Sequence, residues 1–304
     1  MQQSIPASST IELPFESRSG TRGRSPLGAA VHRLLANRVA RGGLVIIAAF
    51  ILMAVLSPVL LPYNPQLDSD LLARLKPPSG THPFGTDALG RDILMRIFHG
   101  ARVSLGLGVS SVMLAGLIGS VLGLLAGYAG RWVDLCLMFC MDILLAFPAT
   151  LLAIAIVAMI GPGLRNSLIA ISVVSIPFYA RITRGEVLAL KEREFVTAAR
   201  GLGGSPRWIV LWHIFPNTLP PLAVQTTLAV AFAILEAAAL GFLGLGAQPP
   251  TPEWGAMLAD SYKFFTSGAW WAFFFPGAAI MLSVLGFNLV GDALRDALDP
   301  RMRV

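Results

Sequence analysis

Charge is scarce in this chain. Of its 304 residues only 13% are Asp, Glu, Lys or Arg, against 55% hydrophobic. Ordinary soluble domains carry about twice that share of charge, so the composition excludes a water-facing globular fold and indicates a polytopic membrane protein. Lysine is rarer still: Lys76, Lys191 and Lys263 follow Leu, Leu and Tyr. A phosphate-cradling loop needs Gly-Lys-Ser/Thr, so no Walker A motif is present. The two cysteines, Cys136 and Cys140, stand four apart on one face of an apolar run. They supply neither a disulfide framework nor a CxxC pair, and packing is their expected role. HExxH and GxSxG are missing, and His32, His82, His99 and His213 are scattered. Metal-dependent and nucleophilic hydrolysis therefore have no visible site.

What is present is a series of long apolar runs. Residues 1–40, rich in Ser, Pro, Gly and Arg, read as a disordered basic tail. The first run begins only after Arg41, with no small-residue cleavage site beside a short apolar core, so no removable signal peptide is expected. Within 41–62, Leu44 to Leu61 would span about 27 Å as a helix, enough to cross a bilayer. Residues 63–102 are too charged for hydrocarbon. Within them Asp87 to Arg102 predicts an amphipathic surface helix, with Ile93, Leu94, Ile97 and Phe98 on one side.

Five more runs follow in 103–292: Val103–Tyr128, Leu135–Ile160, Leu164–Ala180, Leu219–Leu245 and Trp270–Val290. With the first they predict an all-α bundle of six spans and a short tail, 293–304. Gly119, Gly123 and Gly127 recur every four residues and would stack into a groove that a second helix can approach closely. Pro148 and Pro177 are expected to kink the third and fourth spans. Pro249, Pro250 and Pro252 are expected to stop the fifth, and Trp254, Trp270 and Trp271 suit an interfacial belt. With the N-terminus inside, sixteen of the 23 lysines and arginines fall in inner segments and seven in outer ones. That bias puts both termini in the cytoplasm, and orientation accounts for the net charge of +6 better than a nucleic-acid partner does.

Between the fourth and fifth runs lies Thr197 to Asn217, TAARGLGGSPRWIVLWHIFPN. Two small residues, Ala198 and Ala199, precede Gly201 and Gly203; Ser205-Pro206 then forms an N-cap and first-turn pair. The segment reads as helix, glycine corner, helix. Gly203 permits the corner because a residue without Cβ takes φ > 0 at little cost. This pattern resembles the EAA loop of ABC importer permeases, with Ala198-Ala199, Gly203 and Pro216 in register. Thr197 stands where Glu is usual, as in the peptide-permease branch, and His213 where an aliphatic residue is more frequent. HPFGTDALGRDILMRIFHGARVSL, GFLGLGAQPPTPEWGAML and GFNLVGDALRDALDPR are also similar to segments of the second permease of dipeptide-type importers. The resemblance covers the chain from about Leu44 to Arg301.

The resemblance implies a type I ABC importer permease in a bacterial inner membrane. It implies a pseudo-twofold pairing with a homologous permease, two ATPase subunits holding ATP and Mg, and an extracytoplasmic binding protein. No cofactor is expected on this chain. Residues 191–217 become the ATPase-docking loop, in which Ala198, Ala199 and Gly203 shape the joint while Glu194, Arg200 and Arg207 make polar contacts. The cargo implied is dipeptides or short peptides, with glutathione, nickel chelates or antimicrobial peptides carried by the same branch.

The polar residues inside the spans are few. Glu236 lies mid-span, where an ionised carboxylate facing lipid costs several kcal/mol, so it must face a polar cavity, find a partner or hold a proton. It is the candidate for lining the translocation path, together with Gln225, Ser172 and Ser175; Thr226, Thr227, Asp142 and Asn288 are weaker candidates. The alternative for each is a bond to a neighbouring helix. Glu236 also suits a second reading, an ion-coupled secondary transporter, but that class shows inverted repeats, and no convincing repeat is visible. A membrane-embedded hydrolase lacks any nucleophile and base in register.

Overall fold

The structure is a computed structural model in which residues 34–60, 63–64 and 68–298 are described. Most of the basic tail and the end of the C-terminal tail, residues 1–33 and 299–304, lie outside these. The described residues are helical without a strand, apart from an isolated bridge between Thr86 and Asp92. The helices are α1 (Arg38–Leu60), α2 (Ile93–Ala129), α3 (Arg131–Leu145), α4 (Ala149–Ile160), α5 (Leu164–Leu190), α6 (Glu194–Gly201), α7 (Pro206–Ile209), α8 (Phe215–Phe242), α9 (Trp254–Ser261) and α10 (Trp271–Leu298). Five continuous helical stretches are long and apolar enough to cross a membrane, and the bent pair α3 and α4 makes up to six.

The separate surface helix expected at Asp87–Arg102 is not formed. Asp92 caps a new helix at Ile93, its Oδ1 accepting from the Met95 amide at 3.1 Å, and that helix continues for 37 residues. At about 1.5 Å per residue it is roughly 55 Å long, well over the about 30 Å of hydrocarbon that one crossing needs. Ile93 and Ile97 are buried. Gly100 does not break the helix; it makes room for Trp254, whose Cδ1 would stand 2.9 Å from an added Cβ.

The two prolines behave differently. Phe147-Pro148 ends α3 and starts α4 with a bend of 91°, a break where only a kink was expected, because the residue before proline avoids the helical region. Pro177 leaves α5 uninterrupted. It is buried there, on the helix that packs against α2. The fifth span ends at Phe242, before the prolines: Gly244 has φ +76°, and Leu245 N–H donates to Leu240 O at 2.9 Å. That is a glycine-terminated helix end.

The middle of the bundle is α2 against α5. An added Cβ on Gly119 would lie 2.6 Å from Ile176 O, on Gly123 2.5 Å from Ala180 O, and on Gly127 2.8 Å from Val187 Cβ. The glycine groove of α2 is therefore filled by α5, backbone against backbone. Helix α8 packs on both, and α10 packs on α8 and α1.

Candidate functional site

Three places gather the polar and exposed groups. The first is the corner between α6 and α7. Ser205 caps α7 by accepting from the Trp208 amide at 3.4 Å, and Gly203 sits at φ +82°. Gly204, which the sequence did not single out, is the tighter glycine: its N–H donates to Ala199 O at 3.0 Å, and an added Cβ would lie 2.8 Å from that oxygen. Its signal in the sequence is only the doubled glycine. Val196 and Ala199 turn inward onto Ile209, Ile214 and Val187, so Ala199 holds the helix pair to the bundle. Ala198 is exposed and borders a hollow of about 560 Å³ shared with Phe195, Leu202, Gly203, Trp208 and His213.

Around that hollow the surface is apolar. Leu202 is 89% exposed, and Leu211, Trp212 and Trp208 are also in the open. Glu194, Arg200 and Arg207 are exposed and make no ion pair with another described residue. The Thr197 hydroxyl donates back to Arg193 O at 3.3 Å. From Val210 to Ile214 the helix widens into a π turn, with Phe215 N–H donating to Val210 O. The wide turn comes just before Pro216, whose ring crowds the carbonyl four residues back, and Asn217 Nδ2 donates to His213 O at 2.6 Å.

The second place is inside the bundle. Glu236 lies on α8 and accepts from the Thr150 hydroxyl on α4 at 2.7 Å through Oε1, while Oε2 is buried without a partner among the described residues. It borders a cavity of about 230 Å³ with Gln225, Ser175, Tyr179, Phe178 and Phe232. Thr150 was missed in the sequence, since only the break at Pro148 swings α4 across to α8. Ser172 is not in this cavity: its hydroxyl is buried against α2 and donates to Ser111 O at 3.0 Å and Leu168 O at 2.7 Å. Thr226 receives the Tyr179 hydroxyl at 3.3 Å. Asp142 is exposed and pairs with Arg181, and Arg184 grips Asp134 through two nitrogens, so these charges tie α3 to α5.

The third place is the cap over the other end, where α2 begins. Trp254 and Trp271 are buried, unlike belt residues, and act as pins: Trp254 Nε1 donates to Ile97 O at 3.1 Å and Trp271 Nε1 to Thr86 O at 3.3 Å. Trp270 is half exposed. Glu253, outside the spans, caps α9 by accepting from the Gly255 and Ala256 amides, both at 2.8 Å, and from Ser104 at 3.1 Å. Burial pushes its carboxyl above the ordinary range, against the pull of those three donors. In the same cap the buried Asp87 carboxylate holds both Arg91, at 2.7 Å, and Arg96. Among the described residues no group of His, Cys, Asp and Glu is placed to hold a metal ion.

Residues 119–304 match the model of the binding-protein-dependent transport system inner membrane component, and residues 25–78 match the N-terminal TM domain of oligopeptide transport permease C. The chain is 52% identical over 279 residues to the dipeptide transport system permease protein DppC of Alkalihalophilus pseudofirmus, covering 92% of this chain and 91% of the relative. It is 42% identical over 280 residues to the glutathione transport system permease protein GsiD of Pectobacterium atrosepticum, covering 92% and 93%. Its fold is similar to the inward-facing MetNI methionine ABC transporter in its CY5 native crystal form. There the TM-score is 0.53 at 20% identity, over 68% of this chain and 98% of that one.

Proposed function

The chain belongs to the family of binding-protein-dependent transport system inner membrane components, and from that premise we propose that it imports dipeptides or other short peptides, one of two permeases in an ATP-driven complex. The hollow at the α6–α7 corner carries this reading. It is an open apolar surface on a segment too polar for lipid, with Leu202, Trp208 and Phe195 around a floor kept low by Ala198 and Gly203. An exposed apolar patch with a polar rim marks a site for a partner. The partner proposed is an ATPase subunit, two of which, with ATP and Mg, complete the machine beneath this chain and its homologous permease. Glu194, Arg200 and Arg207 then form the charged rim of the joint. An extracytoplasmic binding protein delivers the cargo, and both termini face the cytoplasm.

In this reading the cavity at Glu236 belongs to the translocation path, with Gln225 and Ser175 as its neutral polar groups. The unpaired Oε2, buried beside this cavity, is the atom assigned to a substrate ammonium. The bond from Thr150 supports a second role for the same residue, holding α4 against α8. The relative named for glutathione keeps that tripeptide as the alternative cargo.

The test is uptake of a labelled dipeptide by liposomes holding this chain, its partner permease, the ATPases and the binding protein. Uptake is expected only with ATP and binding protein together. Ala198→Glu, which fills the hollow with charge, is expected to lower coupled ATPase activity and uptake at least tenfold with insertion unchanged. Uptake by this chain alone under a proton gradient would overturn the reading.

A further inference from the structure

The outer cap contains a cavity separate from both the α6–α7 hollow and the Glu236 cavity. It encloses about 360 Å³ between the start of α2, the turn after α8, and α9, a size in the range of small-molecule pockets. Most of its wall is small or apolar, including Gly241, Gly244, Ala256 and Pro250. The exceptions are Arg91, Arg96 and Asp260, with Gln248 and Thr251 at the loop.

The charges there are unevenly matched. Arg91 and Arg96 are buried, Arg96 to 3% exposure, and both lean on the single carboxylate of Asp87, also buried. These three groups together carry a net positive charge of one, which is costly to hold away from water without a counter-ion. The remaining carboxylate, Asp260, is a loose partner. It is 48% exposed on its side chain and stands 3.5 Å from Arg91 Nη2 and 3.7 Å from Arg96 Nη2, beyond the usual hydrogen-bond length of about 2.7–3.2 Å. Meanwhile Arg96 Nε is buried with no hydrogen-bond partner among the described residues. The Nη2 donors of the two arginines, on the cavity wall and only loosely covered by a half-exposed acid, match the planar two-pronged recognition of a carboxylate.

We propose that this cavity is a binding site for the C-terminal carboxylate of a short peptide, which takes the place of Asp260 between Arg91 and Arg96. Asp260 is then a built-in competitor: it neutralises the arginines when the site is empty and yields to the ligand. The small residues along the wall leave room for the peptide's last side chains without selecting among them, and the specific contact is the charge. This site lies at the outer end of α8, and Glu236 lies further along the same helix, so a peptide would be held by its acidic end before its ammonium reaches that carboxylate. The proposal rests on the peptide-import reading.

The experiment is equilibrium binding of radiolabelled Ala-Ala, N-acetyl-Ala-Ala and Ala-Ala amide to the full chain in lipid nanodiscs, beside Asp260→Asn and Asp260→Ser. The two probes with a free carboxylate are expected to bind, and the amide at least about tenfold more weakly, the effect of losing one charge-assisted contact. Removing the competitor in Asp260→Asn or Asp260→Ser is expected to tighten binding of the two acids several-fold and leave the amide unchanged. Equal binding of acid and amide, no binding of any probe, or Asp260 variants that fail to tighten it would each overturn the proposal. So would competition by acetate as strong as by Ala-Ala, which leaves a bare anion site. Ala-Ala uptake by the reconstituted complex separates the two ideas: uptake without discrimination at this cavity sinks the site alone, whereas failure of ATP-dependent uptake sinks the import reading.

Discussion

Glu253 shows how much one side chain can hold in the cap. Its two oxygens terminate α9, hold Ser104 of α2 and lie over Gly241 of α8, so three helices meet on one carboxyl group. Because burial raises its pKa above the ordinary value, the folded chain holds this proton to higher pH than the unfolded chain does. The stabilising contribution is therefore full below the ordinary carboxylate value and is lost as pH rises through the raised one. Removing the titrating group in Glu253→Gln should remove that slope. Thermal unfolding in detergent from pH 4 to pH 8 is expected to show wild type gaining on the variant as the pH falls; parallel profiles would count against it. Nothing local in the sequence marks Glu253; its contacts with Ser104, about 150 positions away, and with Gly241 arise from the fold.

At the scale of elements the decisive contact is between α2 and α5. The repeat of Gly119, Gly123 and Gly127 was legible as a groove, since three glycines four apart must share a helix face. Its partner was not, because nothing in the repeat says which helix enters it. Gly123→Val is expected to cost about 1–3 kcal/mol, the usual range for overpacking a filled site, and to shift the unfolding midpoint down; an unchanged midpoint would mean that α5 can move away freely. The fusion of residues 93–102 into α2 was hidden for a related reason. Amphipathic spacing was read correctly as helix, but the cap at Asp92 and the seat of Trp254 on Gly100 decide that the helix runs on. At Pro148 and Pro177 the local chemistry is the same, and the surroundings make one a break and the other a buried residue in a continuous helix.

For the whole molecule the proposed orientation is open to a direct check. Leu202→Cys and Thr251→Cys, each placed in a chain with Cys136 and Cys140 replaced by Ala, lie in exposed turns, one before α7 and one after α8. A membrane-impermeant maleimide is expected to label the Thr251 position in spheroplasts and the Leu202 position only in inside-out vesicles; the reverse pattern would invert the molecule and move the α6–α7 hollow away from ATP. The sequence alone determined what depends on composition and local order: the membrane class, the approximate spans, the helix-corner-helix of 197–217 and the absence of a nucleotide loop. These follow from hydrophobic run length, backbone preferences of Gly and Pro, and spacing along one helix. The tertiary structure decided the pairings across distance: Thr150 with Glu236, α5 in the glycine groove, Trp254 and Trp271 as buried pins, and Arg91 and Arg96 sharing Asp87 beneath Asp260. The physical reason is that burial and ion pairing belong to groups from several helices together, and no stretch of one chain segment specifies which neighbours will exclude water from it.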